Sequence, residues 1–315
     1  MIDRVMDSTA QAWATNLGER LLDRIGNTPL LGLPAINRAV PHVTLLAKAE
    51  WFNPGGSVKD RAAMSIVAAA ESSGALTRRK VLLDATSGNT GVAYAMIGAA
   101  KGYRTALCVP ANASPEILNT MKAFGAHVIL TNPLEGSDGA IREARRLASA
   151  DPAQYFYADQ YGNPANWQAH YQKTGVEVWE QTRGAVTHVV AGLGTSGTLM
   201  GTGRRLREFN PAVQVIAVQP DSPLHGLEGL KHMATSIVPE IYDADVPDVH
   251  VEVATEEAYR MVKRLAVEEG LLVGISAGAV LVAGLRVAST VSKGTIVMVL
   301  PDGGSRYLGE RFWGD

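Results

Sequence analysis

The chain has 315 residues, 46% of them hydrophobic and 19% charged, which is core material for about two packed domains and excludes a disordered polymer. Its 29 basic and 31 acidic residues leave a net charge of −2, so it carries no strong field for nucleic acid or an anionic membrane. One cysteine, Cys108, excludes an intramolecular disulfide and an all-cysteine metal cage.

The start, Met1-Ile-Asp-Arg-Val-Met-Asp7, intersperses acids and leads into no long apolar stretch, so no signal peptide is expected. No run reaches the roughly 18 apolar residues of a membrane helix, and a cytoplasmic location is the expectation. Residues 44–48 read as a strand, and Asn53-Pro-Gly-Gly-Ser57 leads from it into a helix over 60–72. A strand over 81–85 runs into Thr86-Ser-Gly-Asn-Thr-Gly91 and a helix over 91–101. Residues 103–110 are apolar and strand-like, which makes Cys108 a buried structural thiol. A helix over 139–150 follows, then Gly162-Asn-Pro-Ala-Asn166, near which a domain boundary is expected at about 155–165. Residues 188–191 lead into Gly192-Leu-Gly-Thr-Ser-Gly197 and a helix over 201–209. A strand over 215–218, a helix over 256–270, Gly274-Ile-Ser-Ala-Gly278, a strand over 295–300 and Asp302-Gly-Gly-Ser305 complete the chain. Glycine is the unusual count, 32 of 315 against an average near ~7%. These glycines gather where the apolar runs end. Strand, glycine turn and helix in repetition predict an α/β fold with mostly parallel sheets, whose ligands bind beyond the strands' carboxyl ends.

Two motifs suggest other chemistries and fit them poorly. Gly192–Gly197 matches G-x-G-x-x-G, but the strand end about 20 positions on carries Gln219, with Asp221 two residues later, where a dinucleotide site wants an acid. A phosphate loop fits it better. Gly274–Gly278 matches the nucleophile elbow G-x-S-x-G, yet the last histidine, His250, precedes Ser276. The seven histidines lack metal-ligand spacing, so satisfied or surface histidines and no metal are expected.

Lys59 stands out. Ser57 reads as an N-cap with Asp60 as its acidic partner, which puts Lys59 in the first helical turn, where the dipole disfavours a cation. An amine whose pKa is lowered is what a Schiff base with a carbonyl cofactor requires. Thr86–Gly91 brings hydroxyls, an amide and free backbone N–H groups to a second helix start, a natural seat for a carboxylate.

Together Asn53-Pro-Gly-Gly-Ser-Val-Lys-Asp-Arg61, Thr86–Gly91, Gly194-Thr-Ser-Gly-Thr198 and Gly274-Ile-Ser-Ala-Gly-Ala279 closely resemble the cysteine synthase (O-acetylserine sulfhydrylase) family. Ile25-Gly-Asn-Thr-Pro-Leu-Leu31 and Asp159-Gln-Tyr-Gly-Asn-Pro-Ala-Asn166 are similar to it too, in the family's order from about residue 20 onward. The resemblance implies a pyridoxal 5′-phosphate (PLP) enzyme of fold type II, tryptophan synthase β-like. It has two α/β domains with mostly parallel twisted sheets flanked by helices. The smaller, mobile domain would span 49–160; the larger would combine 1–48 with 161–315. Lys59 would carry PLP as a Schiff base and act as base at the substrate α-carbon. Gly194, Thr195, Ser196, Gly197 and Thr198 would cradle the phosphate, Asn89 the 3′-oxygen and Ser276 the pyridine nitrogen. Thr86, Ser87, Asn89, Thr90 and Gln160 would take the substrate. The implied reaction is β-replacement on O-acetyl-L-serine by sulfide, through an aminoacrylate, giving L-cysteine. A homodimer and a serine acetyltransferase complex are the implied partners. Two departures bear on substrate. His225-Gly-Leu-Glu-Gly-Leu-Lys-His-Met233 stands where the family has a glycine-rich closing loop, and Asp302 stands where many members have serine. They leave open O-phospho-L-serine as donor, homocysteine or another nucleophile as in cystathionine β-synthase, and Asp302 in place of Ser276 at the pyridine nitrogen.

Overall fold

The computed structural model describes residues 20–314, and the expectation about the first seven residues lies outside them. The described residues form two sheets. The first contains β1 (Leu30–Gly32), β2 (Val43–Ala49), β10 (Gly294–Leu300), β7 (His188–Gly192), β8 (Gln214–Pro220) and β9 (Val249–Val253), side by side in that order. Only β1 runs antiparallel to its neighbour. The second is wholly parallel, in the order β5 (His127–Thr131), β4 (Arg104–Pro110), β3 (Val81–Ala85) and β6 (Tyr155–Tyr157). The chain thus opens the larger sheet, crosses to build the smaller, and returns.

Strands buried on both faces need apolar residues without alternation, and β3, β7 and β10 have them. Helices cover both faces. They are α1 (Pro34–Asn37), α2 (Lys59–Ser72), α3 (Asn89–Lys101), α4 (Pro115–Ala123), α5 (Gly136–Ala150), α6 (Ala165–Ala169), α7 (Gly175–Gln181), α8 (Gly197–Phe209), α9 (Thr255–Glu269) and α10 (Ile275–Ala288). A π-helical turn over His170–Thr174 joins α6 to α7. Each sheet has an apolar cluster on either side. Cys108 is a fully buried free thiol in β4, its pKa pushed up to about 12 chiefly by burial.

Two local expectations are corrected. The sequence starts five helices at 60, 91, 139, 201 and 256, whereas they begin at Lys59, Asn89, Gly136, Gly197 and Thr255. Glycines and hydroxyl residues that read as loop occupy first-turn positions at Asn89-Thr-Gly91, Gly197-Thr198 and Thr255, and side chains crowd two of those glycines: Met121 and Thr86 against Gly91, Asn166 against Gly197. The capping pair is also different. Ser57 Oγ accepts from the Lys59 amide at 3.2 Å, while Asp60 turns away to accept from the Gly55 amide at 2.5 Å.

Candidate active site

The carboxyl ends of β3, β7 and β10 converge on one cleft between the sheets, as ligand sites do in open α/β folds. Two adjoining cavities occupy it and share Lys59, Asn89, Gly194, Thr195 and the segment Glu228–Leu230.

Lys59 is the first residue of α2, and it lines both cavities. Burial lowers its pKa, opposed by the charge of Asp302. Desolvation thus acts in the same direction as the helix dipole invoked from the sequence. Behind it, Arg61 reaches Glu50 and Glu177 with its Nε, Nη1 and Nη2, at 2.7–2.9 Å, and Lys48 Nζ meets Glu177 at 2.6 Å. Glu50 and Arg61 are almost wholly buried. Sequence reasoning missed this cluster, whose members are up to 129 positions apart (177 − 48). It ties β2, α2 and α7 together and fixes the helix that presents Lys59.

The loop after β7 forms one end of the inner cavity, which Gly194, Thr195, Ser196 and Thr198 line. Ser196 takes a left-handed backbone, φ 69°, immediately before α8, and its buried hydroxyl has no hydrogen-bond partner among the described residues. Amides at a helix start lack intrahelical acceptors, so this end presents free donors to an anion. Gly197 does not line the cavity; a β-carbon there would collide with the side-chain oxygen of Asn166. Ser276, in the first turn of α10, lines the same cavity.

The loop after β3 lines the outer cavity with Thr86, Ser87, Gly88, Asn89 and Thr90, and Gln160 and Tyr161 face it. Several of these polar groups are occupied by one another. Thr86 Oγ1 accepts from the Gly88 and Gly91 amides, at 3.0 and 3.1 Å, and so caps α3. Thr90 Oγ1 donates to Gln160 Oε1 at 2.7 Å, and Gln160 Nε2 donates to the Ala85 carbonyl. Asn166 Nδ2 bridges the Gln160 carbonyl, at 2.7 Å, and Thr195 Oγ1, at 3.0 Å, coupling the two loops. That leaves the Ser87 hydroxyl and the first amides of α3 as the donors for a carboxylate. The sequence showed Asn166 only as the end of a turn-rich, family-like stretch and gave it no role.

Asp302 is fully buried but lines neither cavity. Its Oδ2 accepts from Asn89 Nδ2 at 2.7 Å and from the Tyr307 hydroxyl at 2.6 Å. Arg306 donates to Asn89 Oδ1 and to the Gly55 carbonyl. The Asn89 amide is thereby held from both ends. Burial raises the Asp302 pKa against the hydrogen bonds from Tyr307 and Asn89.

Comparison with known proteins places these residues in context. Residues 21–302 match the family described as "Pyridoxal-phosphate dependent enzyme". The chain is 50% identical over 303 residues to a cysteine synthase of Aquifex aeolicus, covering 94% of this chain and 93% of that one. It is 41% identical to cysteine synthase B of Pseudomonas aeruginosa, covering 91% and 95%. Its structure resembles the crystal structure of a cysteine synthase from Entamoeba histolytica with a TM-score of 0.90, at 35% identity over 95% of this chain and 91% of that one.

Proposed function

This chain belongs to the family of pyridoxal-phosphate dependent enzymes, and we propose that it is a cysteine synthase that exchanges the acetate of O-acetyl-L-serine for sulfide. The observation that carries the reading is the single cleft that joins a desolvated lysine, an anion-binding helix start and a second helix start suited to a carboxylate.

The residues present fit PLP. The orphaned Ser196 hydroxyl and the amides that follow it suit the phosphate, together with Gly194, Thr195 and Thr198. Ser276 suits the pyridine nitrogen, since it lines the inner cavity and Asp302 does not. Asn89, held by Asp302 and Arg306, would meet the 3′-oxygen, and Lys59 would carry the cofactor. When bound, PLP supplies an electron sink for the pair released at the substrate α-carbon. The neutral Ser276 hydroxyl, if it met the ring nitrogen, would leave that sink weak and so favour departure of the β-substituent over transamination.

The chain's own groups do the rest. Ser87 and the α3 amides bind the amino-acid carboxylate, backed by Thr86, Thr90 and Gln160. Lys59 Nζ, freed from the cofactor, takes the proton from the α-carbon and later returns it. Residues 49–160, which include the smaller sheet, are the part proposed to move on closure. In keeping with the family, the working form is proposed to be a cytoplasmic homodimer that pairs with a serine acetyltransferase. No described helix is long and apolar enough to cross a membrane.

The test is to give the purified protein sulfide with O-acetyl-L-serine or with O-phospho-L-serine and to measure L-cysteine. Faster turnover of the acetyl donor is expected. Faster turnover of the phosphoryl donor would replace the donor assignment, and no cysteine from either would overturn the reading.

A further inference from the structure

Glu228 belongs to the segment whose wording departs from the family loop, and neither donor binding nor proton transfer at the α-carbon uses it. Among the described residues it is the only carboxyl group lining either cavity, and it lines both, alongside Lys59. Its backbone is firmly held. Leu227 is fully buried beneath the larger sheet's helices, and the Gly226 amide donates to Thr255 Oγ1 at 2.9 Å. The Lys231 amide donates to the Leu193 carbonyl at 2.8 Å, and Gly229, with φ +82°, turns its carbonyl onto Gly194. The carboxylate itself, half-buried, has no hydrogen-bond or ion-pair partner among the described residues.

The other ionisable groups lining the cleft are committed or unsuited to taking a proton. Lys59 serves the α-carbon. Lys231 Nζ pairs with Asp138 at 3.0 Å, and burial pushes the Tyr161 and Tyr307 hydroxyls well above their usual range. We propose that Glu228 is a catalytic base for the sulfur nucleophile, accepting the S–H proton of hydrogen sulfide or a thiol as the sulfur attacks the substrate β-carbon. The S–H bond breaks and its electron pair stays on sulfur and forms the C–S bond. The proton passes to a Glu228 oxygen and then to solvent, while Lys59 returns the α-proton. Donor plus hydrogen sulfide thus gives cysteine, acetate and one released proton.

The titration suits the task. Burial first, then the charges of Asp302 and Glu310, raise the Glu228 pKa to about 7, so the carboxyl can exchange protons near neutrality. Tyr307 and Tyr259 sense the same charge, and Lys59 shares the cavity.

The inference rests on the β-replacement reading, and the experiment separates the two. In holoenzyme, acetate release from O-acetyl-L-serine and the following step with 2-mercaptoethanol are timed separately, from pH 6 to pH 10. Glu228→Gln should lower the thiol step about 10²-fold at neutral pH and leave acetate release near wild type. The deficit should close at alkaline pH, where solution supplies thiolate. Formate should restore the thiol step in Glu228→Ala. Infrared difference spectra of the resting proteins should show a carboxyl titrating near pH 7 in wild type and missing from Glu228→Gln. An unchanged thiol step, equal loss in both steps, a deficit independent of pH, or a Glu228 already ionised at about pH 5 would each overturn the proposal. If wild type released no acetate, the β-replacement reading itself would fall.

Discussion

Replacing Glu177 by glutamine removes one of the two carboxylates that neutralise Arg61 and Lys48 behind Lys59. Burial alone would raise the Glu177 pKa. The Arg61 hydrogen bonds and charge, then Lys48, outweigh it and hold the carboxyl at about 2 instead of 4.5. At about 1.4 kcal/mol per pKa unit, that difference corresponds to roughly 3 kcal/mol of stability at neutral pH. The folded pKa is depressed, so this stability is present above pH 4.5 and is lost as pH falls through about 2. At pH 3 only about 1.4 kcal/mol remains, so the gap between wild type and Glu177→Gln should narrow by roughly 2 kcal/mol from pH 7 to pH 3. Urea denaturation of both proteins at pH steps between those limits measures the gap. A gap that stays constant would refute the claim that Glu177 is an ionised partner of Arg61, whatever its absolute size.

A β-carbon at Gly194 would stand inside contact distance of the Gly229 carbonyl oxygen, and backbone on both sides leaves little room to yield. Gly194→Ala should cost about 1–3 kcal/mol and weaken PLP binding in equilibrium dialysis; Gly32→Ala, with nothing near its β-carbon, is the control and should leave both unchanged. The Asp302 charge raises the Lys59 pKa, so Asp302→Asn should move the pH midpoint for PLP capture by the apoprotein to lower pH; an upward move would contradict the assigned coupling. Asn166→Ala removes the donor shared by Gln160 and Thr195, and it should raise KM for the donor substrate more than it lowers thermal stability. Equal losses would reduce Asn166 to packing.

The alternation of apolar run, glycine turn and helix was legible because parallel strands buried on both faces leave a plain sequence signature, as in β3 and β10. The short or exposed strands β1, β5, β6 and β9 were not read, since three to five residues with partly exposed faces resemble loops. Lys59, Ser276 and the two loops could be located from sequence because each sits in a local motif at a helix start. The Lys48–Glu50–Arg61–Glu177 cluster and the Asp302–Asn89–Arg306 clamp could not be. Their partners lie far along the chain, up to 217 positions apart for Arg306 and Asn89, and only folding brings them together. Asp302 was visible as a departure, but its turn away from the cavity toward Asn89 and Tyr307 required coordinates. Glu228 appeared in sequence only as altered loop wording, because its lack of a partner among the described residues is a property of the cleft.

The central claim is that Lys59 carries PLP in this cleft and works on the donor there. Its most direct test is the visible absorbance spectrum of the purified protein, before and after O-acetyl-L-serine, beside Lys59→Ala. Wild type should show a yellow band that shifts on adding the donor, and Lys59→Ala no such lysine-bound band. A wild-type protein that stays colourless after incubation with PLP, or a Lys59→Ala protein with the same band and the same shift, would contradict it.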